Sequence, residues 1–226
     1  MKTTRNKIIL FECNDLQDTA QQIFLKMSAF GARQQMSDAL KSQMLDDLKA
    51  LKFTTEPKLI FSYFGKESIR LKEDTIYADN VAIKCRGFSQ VDFRQVNGVY
   101  VYFINAGSVS FENNSMREQF FADLWGNAIV DAMRHRCDTL FGKEGFLSEE
   151  FGPGFYGMDL REMFQFVSLA DASLIGISIK HSGMLVPTKS CALLRFDVTE
   201  DYRPLNTACQ DCIGSKQNCS LCHYRR

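Results

Sequence analysis

Apolar and polar positions recur with two different periods along the chain, and together they predict a mixture of helices and strands. Residues 7–12 form a short extended run, and helical patterns follow over residues 16–29 and 37–51. The apolar residues of the second helical pattern recur at spacings of three and four, which places them on one buried face. These residues are Leu40, Met44, Leu48 and Leu51.

Strand patterns replace the helical ones after Pro57. Residues 59–64 form an apolar run that is typical of a strand, because it is short and rich in Ile, Phe and Tyr. Shorter extended pieces are predicted at residues 69–71 and 75–77. The chain therefore changes from helix to sheet near residue 57.

A turn signal divides the next apolar region. The Asn97-Gly98 pair lies between residues 93–96 and 99–104, and such a pair predicts a hairpin. The second run shows no polar alternation, which is typical of a strand buried on both faces.

The strongest helical pattern covers residues 116–141. Ser115 and Glu118 have the spacing of a capping box at its start, and Gly142 follows its end. Polar residues at positions 123, 127 and 131 lie four apart beside the apolar stripe, either as a solvated edge or as the polar rim of a cleft. The apolar stripe consists of Phe120, Phe121, Leu124, Trp125, Ala128, Ile129, Ala132, Met133 and Cys137.

The last third of the body combines one loop, one helix and two strands. Residues 149–157 form a loop rich in Gly and Pro, and residues 174–180 and 191–198 alternate as strands do. Asp159, together with Glu162, is predicted to cap a helix that begins there. The predicted apolar face of that helix is Leu160, Met163, Phe164 and Val167.

Four of the eight cysteines lie in two Cys-x-x-Cys pairs near the end of the chain. They are Cys209, Cys212, Cys219 and Cys222. Two residues between sulfurs direct both thiolates at one ion, and six residues between the pairs allow the chain to close a four-sulfur site. Such a site favours zinc or an iron–sulfur cluster. Disulfides and redox-active thiols are the alternatives; the remaining cysteines, Cys13, Cys85, Cys137 and Cys191, are scattered.

Composition limits the classes of function. With 226 residues, 45% of them hydrophobic, the chain is long enough for one sizeable core, and 19 Phe and 7 Tyr indicate an aromatic interior. The formal net charge is zero, so no general attraction to nucleic acid is expected. The apolar run behind the basic opening residues is too short for a secretion signal, and no run reaches the roughly 18 residues that cross a bilayer. We therefore expect a cytoplasmic protein.

Two segments of the last third have the chemistry of a binding site. In the first, Gly152, Pro153 and Gly154 allow a flat ligand to approach the backbone, and Phe155 and Tyr156 offer rings for stacking. An ordinary tight turn before a helix is the alternative.

The second segment runs from Ser182 to Ser190 and contains Met184, Pro187 and Lys189. A simple strand connection with a solvated lysine is the alternative here.

Taken in order, these pieces resemble the activation domain of vitamin-B12-dependent methionine synthase, in the stand-alone form that ends in a cysteine-rich tail. The resemblance rests on residues 151–157, on residues 175–179 leading into the 182–190 segment, and on the end of the chain at residues 222–225. It covers residues 150–226, with a vaguer match over residues 58–142.

The resemblance implies an α+β fold, with mixed helices packed on a bent antiparallel sheet and a small C-terminal metal-binding tail. We expect an N-terminal helical lead-in over residues 1–57, an activation-domain-like body over residues 58–203 and the four-cysteine tail over residues 204–226. In that family the domain binds S-adenosylmethionine and caps a corrinoid while cob(II)alamin is reduced and remethylated.

The resemblance also implies roles for individual positions. Residues 152–156 would line the adenosylmethionine pocket, and residues 182–190 would face the corrinoid. His181 stands where the family has an acidic residue, and it either approaches the cobalt or a corrin amide or is simply hydrogen-bonded structure. Two departures count against adenosylmethionine. Glu150 replaces an arginine and would repel a carboxylate, and Phe155 replaces a tyrosine and lacks its hydroxyl.

We therefore expect an accessory factor for the reductive reactivation of a corrinoid-dependent methyltransferase, most simply methionine synthase. A [4Fe–4S] cluster on the four tail cysteines would deliver the electron, and zinc is the other candidate metal. The alternative is a non-catalytic scaffold that binds a corrinoid protein and carries a structural zinc knuckle. An unrelated adenosylmethionine enzyme is disfavoured, since the chain has no strand–Gly-x-Gly–helix motif. No catalytic residue is assigned, and no membrane partner is expected.

Overall fold

One antiparallel sheet separates two hydrophobic cores, and its central strand contributes to both. Along Val96–Asn105 (β7), successive side chains point to opposite faces. Val99, Val101 and Phe103 enter one core, while Tyr100 and Tyr102 enter the other. The apolar run without polar alternation is therefore buried on both faces, as the sequence predicts.

The structure is a computed structural model, and it describes residues 3–28, 52–110, 115–142 and 145–205, together with positions 38, 42 and 46. The α-helices with defined bounds are Cys13–Ser28 (α1), Met116–Phe141 (α2) and Met163–Leu169 (α3). The other strands are Thr4–Leu10 (β1), Lys52–Thr55 (β2), Lys58–Gly65 (β3), Ile69–Lys72 (β4), Thr75–Ala78 (β5), Val81–Lys84 (β6), Ser108–Ser110 (β8), Phe146–Leu147 (β9), Ser178–Ile179 (β10), Leu185–Val186 (β11) and Ser190–Val198 (β12).

The main sheet has the order β1-β3-β7-β12-β9 with antiparallel neighbours. Strands β4, β5 and β6 form a three-stranded sheet, and β2–β8 and β10–β11 form two-stranded ladders. This arrangement of helices and antiparallel strands confirms the predicted α+β class. Strand β1 and helix α1, both from the predicted lead-in over residues 1–57, contribute to the main sheet and to the core on its α2 face.

Helix α2 begins with the predicted capping box. The Glu118 amide donates to Ser115 Oγ at 3.2 Å, and the Ser115 amide donates to Glu118 Oε2 at 2.7 Å. The helix packs with α1 on one face of the sheet, where Phe24 makes edge contacts with Phe121 and Trp125 at 5.8 Å between ring centroids. The sequence predicts both the capping box and the apolar stripe of α2, because each depends on the spacing of nearby residues. None of the described helices is long and apolar enough to cross a membrane.

The predicted hairpin at Asn97-Gly98 is wrong. Residues 93–95 form a 3-10 turn, and both Asn97 and Gly98 lie inside β7, opposite an irregular register at Asp197 and Val198. Gly98 is required by packing, because a Cβ there would lie 2.3 Å from Tyr63 Oη and 2.7 Å from the Phe64 carbonyl oxygen. The glycine marks a close approach of β3 rather than a turn.

The predicted strand over residues 174–180 is also largely wrong. Residues 172–175 form a 3-10 turn whose cap, Asp171, accepts a hydrogen bond from the Ser173 amide at 3.1 Å. Gly176, at φ 77°, ends that turn, so only β10 remains extended. The apolar residues do alternate with polar ones, but the Asp171 cap and the left-handed Gly176 favour a 3-10 turn over a strand.

The helix predicted after Asp159 starts as a 3-10 turn and continues as α3. Its buried residues include Met163, as predicted, but Leu160 and Phe164 are exposed. Glu162 does not cap the helix, since its carboxylate accepts a hydrogen bond from the Lys84 amide at 3.1 Å. The predicted helix over residues 37–51 lies outside the described residues, apart from positions 38, 42 and 46, which are helical and exposed.

Replacing Gly98 by alanine tests this close approach. We expect Gly98→Ala to lower the free energy of unfolding by about 2–3 kcal/mol, because the new methyl group must displace backbone as well as a ring. Urea denaturation measures the loss. Asn97→Ala at the exposed neighbouring position is the control and should cost less than about 0.5 kcal/mol. Equal stability of the two variants would contradict the packing role of Gly98.

Candidate functional site

The two segments singled out by the sequence meet at one groove. Its volume is about 250 Å³, and within the part of the chain that the structure describes no charged side chain lines it. One wall comes from the Gly-Pro loop, the other from β11 and the residues after it, and the floor from the start of β12. The lining residues are Pro153, Phe155, Met163, Met184, Leu185, Thr188, Ser190, Cys191, Ala192 and Leu193. We refer to this feature as the groove.

The Gly-Pro loop is attached to the edge of β12 by backbone pairing. The Phe151 amide donates to the Leu194 carbonyl at 2.8 Å, and the Leu194 amide donates to the Phe151 carbonyl at 2.7 Å. Directly afterwards Gly152 passes so close to β12 that a Cβ would lie 2.8 Å from the Ala192 carbonyl oxygen. Gly152, which was predicted to allow a ligand to approach, therefore allows β12 to approach.

The loop then turns sharply and separates its two aromatic residues. Gly154 has φ 93° and Tyr156 has φ 51°, a conformation that costs free energy for a residue with a side chain. Tyr156 is 7% exposed and packs against Phe151 at 4.8 Å between centroids, whereas Phe155 is 51% exposed at the mouth of the groove. Phe155 thus presents a ring to solvent, and Tyr156 is an anchor in the core.

Further hydrogen bonds hold Tyr156 in this conformation. Its carbonyl accepts from the Gly87 amide at 2.9 Å and from the Cys85 thiol at 3.3 Å. Within the loop, the Phe155 amide donates to Gly152 at 2.8 Å. The position of Phe155 is therefore fixed from both sides.

The floor of the groove is an open stretch of sheet edge. Within the described part of the chain, β12 pairs on its outer side with β9 at Asp197 and Val198 and with Phe151 at Leu194. Backbone groups alternate in direction along a strand, so Ala192 directs its amide and carbonyl to the same side as Leu194. Ala192 therefore lies in the floor of the groove with its backbone amide and carbonyl directed away from β7.

Ser190 provides one polar side chain in the floor of the groove. Its hydroxyl is buried and has no hydrogen-bond partner among the described residues. Buried hydroxyl groups are normally paired, because an unpaired one costs about 1–3 kcal/mol. An unpaired hydroxyl that lines a groove is the kind of group that a bound ligand satisfies.

The second wall is the hairpin of β10 and β11 with the residues that follow it. His181 and Ser182 lie exposed in its turn, Gly183 adopts φ 85°, and Met184 is 55% exposed. Of the predicted positions in this segment, Met184 and Ser190 line the groove. The cis peptide bond before Pro187 carries the chain from the hairpin to β12.

Lys189 points away from the groove to helix α2. Its ammonium group donates to Asn127 Oδ1 at 2.8 Å and pairs with Asp123 Oδ1 at 2.7 Å. The polar positions on α2 are therefore neither a plain solvated edge nor part of the groove. Two of them hold Lys189, and the third, Asp131, pairs with Arg134 at 2.7 Å.

A second, polar cavity of about 390 Å³ lies on the α2 side of β12. Arg134 dominates it, donating through Nε to Glu150 Oε2 at 2.9 Å and pairing with the same oxygen through Nη2. Tyr102 donates to Glu150 Oε1 at 2.9 Å. Glu150 was expected to repel a carboxylate, but its charge is balanced locally by Arg134. The polar cavity is lined by Asp131, Arg134, His135, Asp138, Glu149, Glu150 and Arg195.

Burial and ion pairing determine the protonation states of Arg134 and Cys191, which lie between the groove and the polar cavity. Although burial alone would lower the pKa of the Arg134 guanidinium, its bonds to Glu150 raise that pKa above its ordinary value. Removal from water raises the pKa of the Cys191 thiol to about 12, against the lowering effect of the Arg134 cation. Cys191 is therefore a protonated, apolar wall at neutral pH rather than a nucleophile.

The start of the cysteine tail is clamped beside the polar cavity. Glu149 accepts hydrogen bonds from the Tyr202 hydroxyl and from the Leu205 amide, both at 3.0 Å. The four predicted metal ligands, Cys209, Cys212, Cys219 and Cys222, lie outside the described residues. In the part that is described, no group of three or more His, Cys, Asp or Glu residues is placed to hold a metal. Among the described cysteines, Cys85, Cys137 and Cys191 form no disulfide.

Sequence reasoning missed the residues that neutralise Glu150 and those that form the floor. Arg134 lies on the predicted helix, sixteen positions before Glu150, and no local pattern connects them. Ala192 and Leu193 belonged to a correctly predicted strand. Only the knowledge that their edge is unpaired would have identified them as part of a site.

The comparisons with known proteins agree with this geometry at the level of the fold. No protein-family model matches the chain, and no curated protein does. Among solved structures, the chain has the fold of a reactivation domain. One such structure is described as the MetH reactivation domain bound to AdoHcy, with a TM-score of 0.57 and 9% sequence identity over 89% of this chain and 82% of that one. The predicted activation-domain fold is thereby confirmed.

The pair of Arg134 and Glu150 makes a direct prediction. Arg134→Met should lower the free energy of unfolding by about 2 kcal/mol, because the Glu150 carboxylate, 15% exposed, loses its cation. Chemical denaturation at pH 7 measures this. Arg161→Met removes an arginine from the exposed pair with Asp159 and should give no measurable change. An equally harmless Arg134→Met would show that Glu150 does not need a partner.

Proposed function

We propose that the chain is an accessory factor for the reductive reactivation of a corrinoid-dependent methyltransferase of the methionine synthase type. The observation that carries this proposal is the groove, where the Gly-Pro loop and the segment before β12 meet at an open sheet edge. The support from the comparison is that the same fold occurs in a reactivation domain solved with AdoHcy. Groove and fold together make an adenosyl ligand the natural occupant.

The lining of the groove suits the nucleoside part of such a ligand. Phe155 offers a ring face for stacking on a purine, and Met184 and Leu193 provide apolar surface. The Ala192 edge and the unpaired Ser190 hydroxyl offer hydrogen bonds to polar atoms of the base or ribose. Binding would satisfy a hydroxyl that is otherwise buried at a cost.

The groove is too small to enclose such a ligand completely. Its volume of about 250 Å³ is below the roughly 300–1,000 Å³ of pockets that bury a drug-sized molecule. The amino-acid end of the ligand, with its sulfur, would therefore extend beyond the groove. That placement is what methyl transfer to a second protein requires.

An apolar rim surrounds the mouth of the groove. Phe155, Leu160 and Met184 are each more than half exposed, and the exposed residues Phe164 and Val186 lie on the adjoining elements α3 and β11. Gly154 approaches the Leu160 side chain, and Gly183 approaches the Leu160 backbone, so these side chains come from adjoining segments. Exposed apolar rims of this kind mark docking surfaces. The partner proposed for it is the corrinoid-carrying protein.

The chemistry at that junction balances with one electron and one methyl group. Reduction of cobalt(II) by one electron gives cobalt(I). Transfer of the methyl group from the sulfonium of S-adenosylmethionine to cobalt then leaves AdoHcy. The described residues supply the binding site, and the neutral thiol of Cys191 offers no competing nucleophile in the groove wall.

The electron is assigned to a metal centre on the four tail cysteines. Their two Cys-x-x-Cys pairs fit zinc or a [4Fe–4S] cluster, and the cluster, when bound, supplies one low-potential electron at a time. Leu205 is clamped to Glu149, and Cys209 follows four residues later.

The uncharged lining of the groove favours a second candidate function. A ligand with a carboxylate would normally be held by a cation, and no charged side chain lines the groove. The chain would then be a non-catalytic scaffold that docks a corrinoid protein through the apolar rim, with a zinc knuckle as its tail. The rate of cobalt(II) reduction in the partner separates the two functions, since only the first raises it.

Binding of AdoHcy tests the groove. We expect the chain to bind AdoHcy in isothermal titration calorimetry, and Phe155→Ala to weaken binding about tenfold through the lost ring contact. Ser190→Ala should weaken binding and also raise the free energy of unfolding by about 0.5–1 kcal/mol, because it removes an unpaired buried hydroxyl. Phe146→Ala, which removes an exposed ring on β9 outside the groove and its rim, is the matched control. The absence of any binding to the unaltered protein would sink the adenosyl assignment.

The metal assignment has a separate test. Protein purified without oxygen should be brown, with iron near four per chain, if the tail holds a [4Fe–4S] cluster, whereas a zinc–thiolate site is colourless (about one zinc per chain). Cys209→Ser and Cys222→Ser should abolish the metal. Cys85→Ala, at a buried cysteine that forms no disulfide, should retain it. Protein that contains neither metal in near-stoichiometric amount would contradict the assignment.

A further inference from the structure

We infer that Lys189 is a positioning residue that locks the wall of the groove to helix α2, with Gly126 as its seat. This inference rests on the proposed function only for the identity of the ligand. The lock itself is a contact between two elements, and it is testable without any ligand.

Three contacts hold position 189. The ammonium group of Lys189 reaches Asn127 at 2.8 Å and Asp123 at 2.7 Å, and its backbone carbonyl accepts from the Ala106 amide at 2.9 Å. Its neighbours in sequence, Thr188 and Ser190, both line the groove. The wall residues on either side of Lys189 are therefore placed by contacts that lie outside the groove.

The aliphatic stem of Lys189 lies flat on α2 at Gly126. A Cβ at position 126 would lie 2.8 Å from Lys189 Cγ, 3.1 Å from Cδ and 3.3 Å from Cε. A glycine in the middle of a helix costs free energy relative to alanine, and the approach of this stem is what requires it. The lysine and the glycine form one fitted contact.

The geometry also explains why the charge is not available to a ligand. The Lys189 side chain is 21% exposed and its ammonium group is shared between two oxygen acceptors on α2. Helix α2 is itself fixed by its capping box and by its packing on the sheet. The position of the groove wall is thus fixed by a rigid helix and does not depend on the short β10–β11 hairpin alone.

The test uses Lys189→Met and Gly126→Ala, with Lys180→Met as the matched control at an exposed lysine of the same segment. Both lock variants should raise hydrogen–deuterium exchange of the amides in residues 184–190 about tenfold and weaken AdoHcy binding about five- to tenfold. Lys180→Met should change neither quantity. Gly126→Ala should do this without lowering the melting temperature, since alanine favours the helix.

Gly126→Ala should weaken AdoHcy binding without lowering the melting temperature, and this combination distinguishes a positioning role from a stabilising one. A merely structural contact would lower stability and binding together. Unchanged exchange at residues 184–190 in both variants overturns the lock. Failure of the unaltered protein to bind AdoHcy overturns the proposed ligand instead, and the exchange measurement still decides the role of Lys189. If Lys189→Met does not fold, Gly126→Ala decides alone.

Discussion

The pairing of Phe151 with Leu194 is the contact on which the candidate site depends. Two backbone hydrogen bonds, of 2.8 and 2.7 Å, attach the Gly-Pro loop to β12 at that point. Among the described residues, no strand pairs with the outer edge of β12 between Ser190 and Leu193, and the loop turns at Gly154. An edge of hydrogen-bonding groups is thereby placed under the exposed ring of Phe155.

Rigidity around that edge comes from both cores and from three cations. The sheet is packed on each face, so β12 has little freedom to move. On the α2 side, Lys189, Arg134 and Arg195 each connect the helix to a different part of the site, through Asp123 and Asn127, through Glu150, and through Asp138 respectively. These cations are held by carboxylates of the chain itself. Their role is to position backbone, and the groove is left uncharged.

The sequence predicted what depends on local spacing and missed what depends on distant approach. The capping box of α2, the strand β12 and the buried strand β7 follow from neighbouring residues. Gly98 was read as a turn, because nothing nearby reveals that Tyr63 packs against it. For the same reason Glu150 was read as an unbalanced charge, since its partner Arg134 belongs to another element. The two segments of the groove were recognised as segments, but only the topology brings them together.

Tyr156 lies in the loop whose rings the sequence offers for stacking, but its own ring is buried. Its position in the Gly-Pro loop suggested a ring for stacking, yet its positive φ turns the side chain into the core, where it packs on Phe151. Unlike glycine, asparagine or aspartate, a tyrosine gives no sequence signal for the left-handed conformation. It is paid for by burial of the ring.

The clamp of Glu149 on Tyr202 and Leu205 separates the body from whatever follows it. Any module attached after Leu205 would emerge from one defined spot on the surface, whatever its own architecture. A different segment could therefore be fused after Leu205 without altering the residues that line the groove.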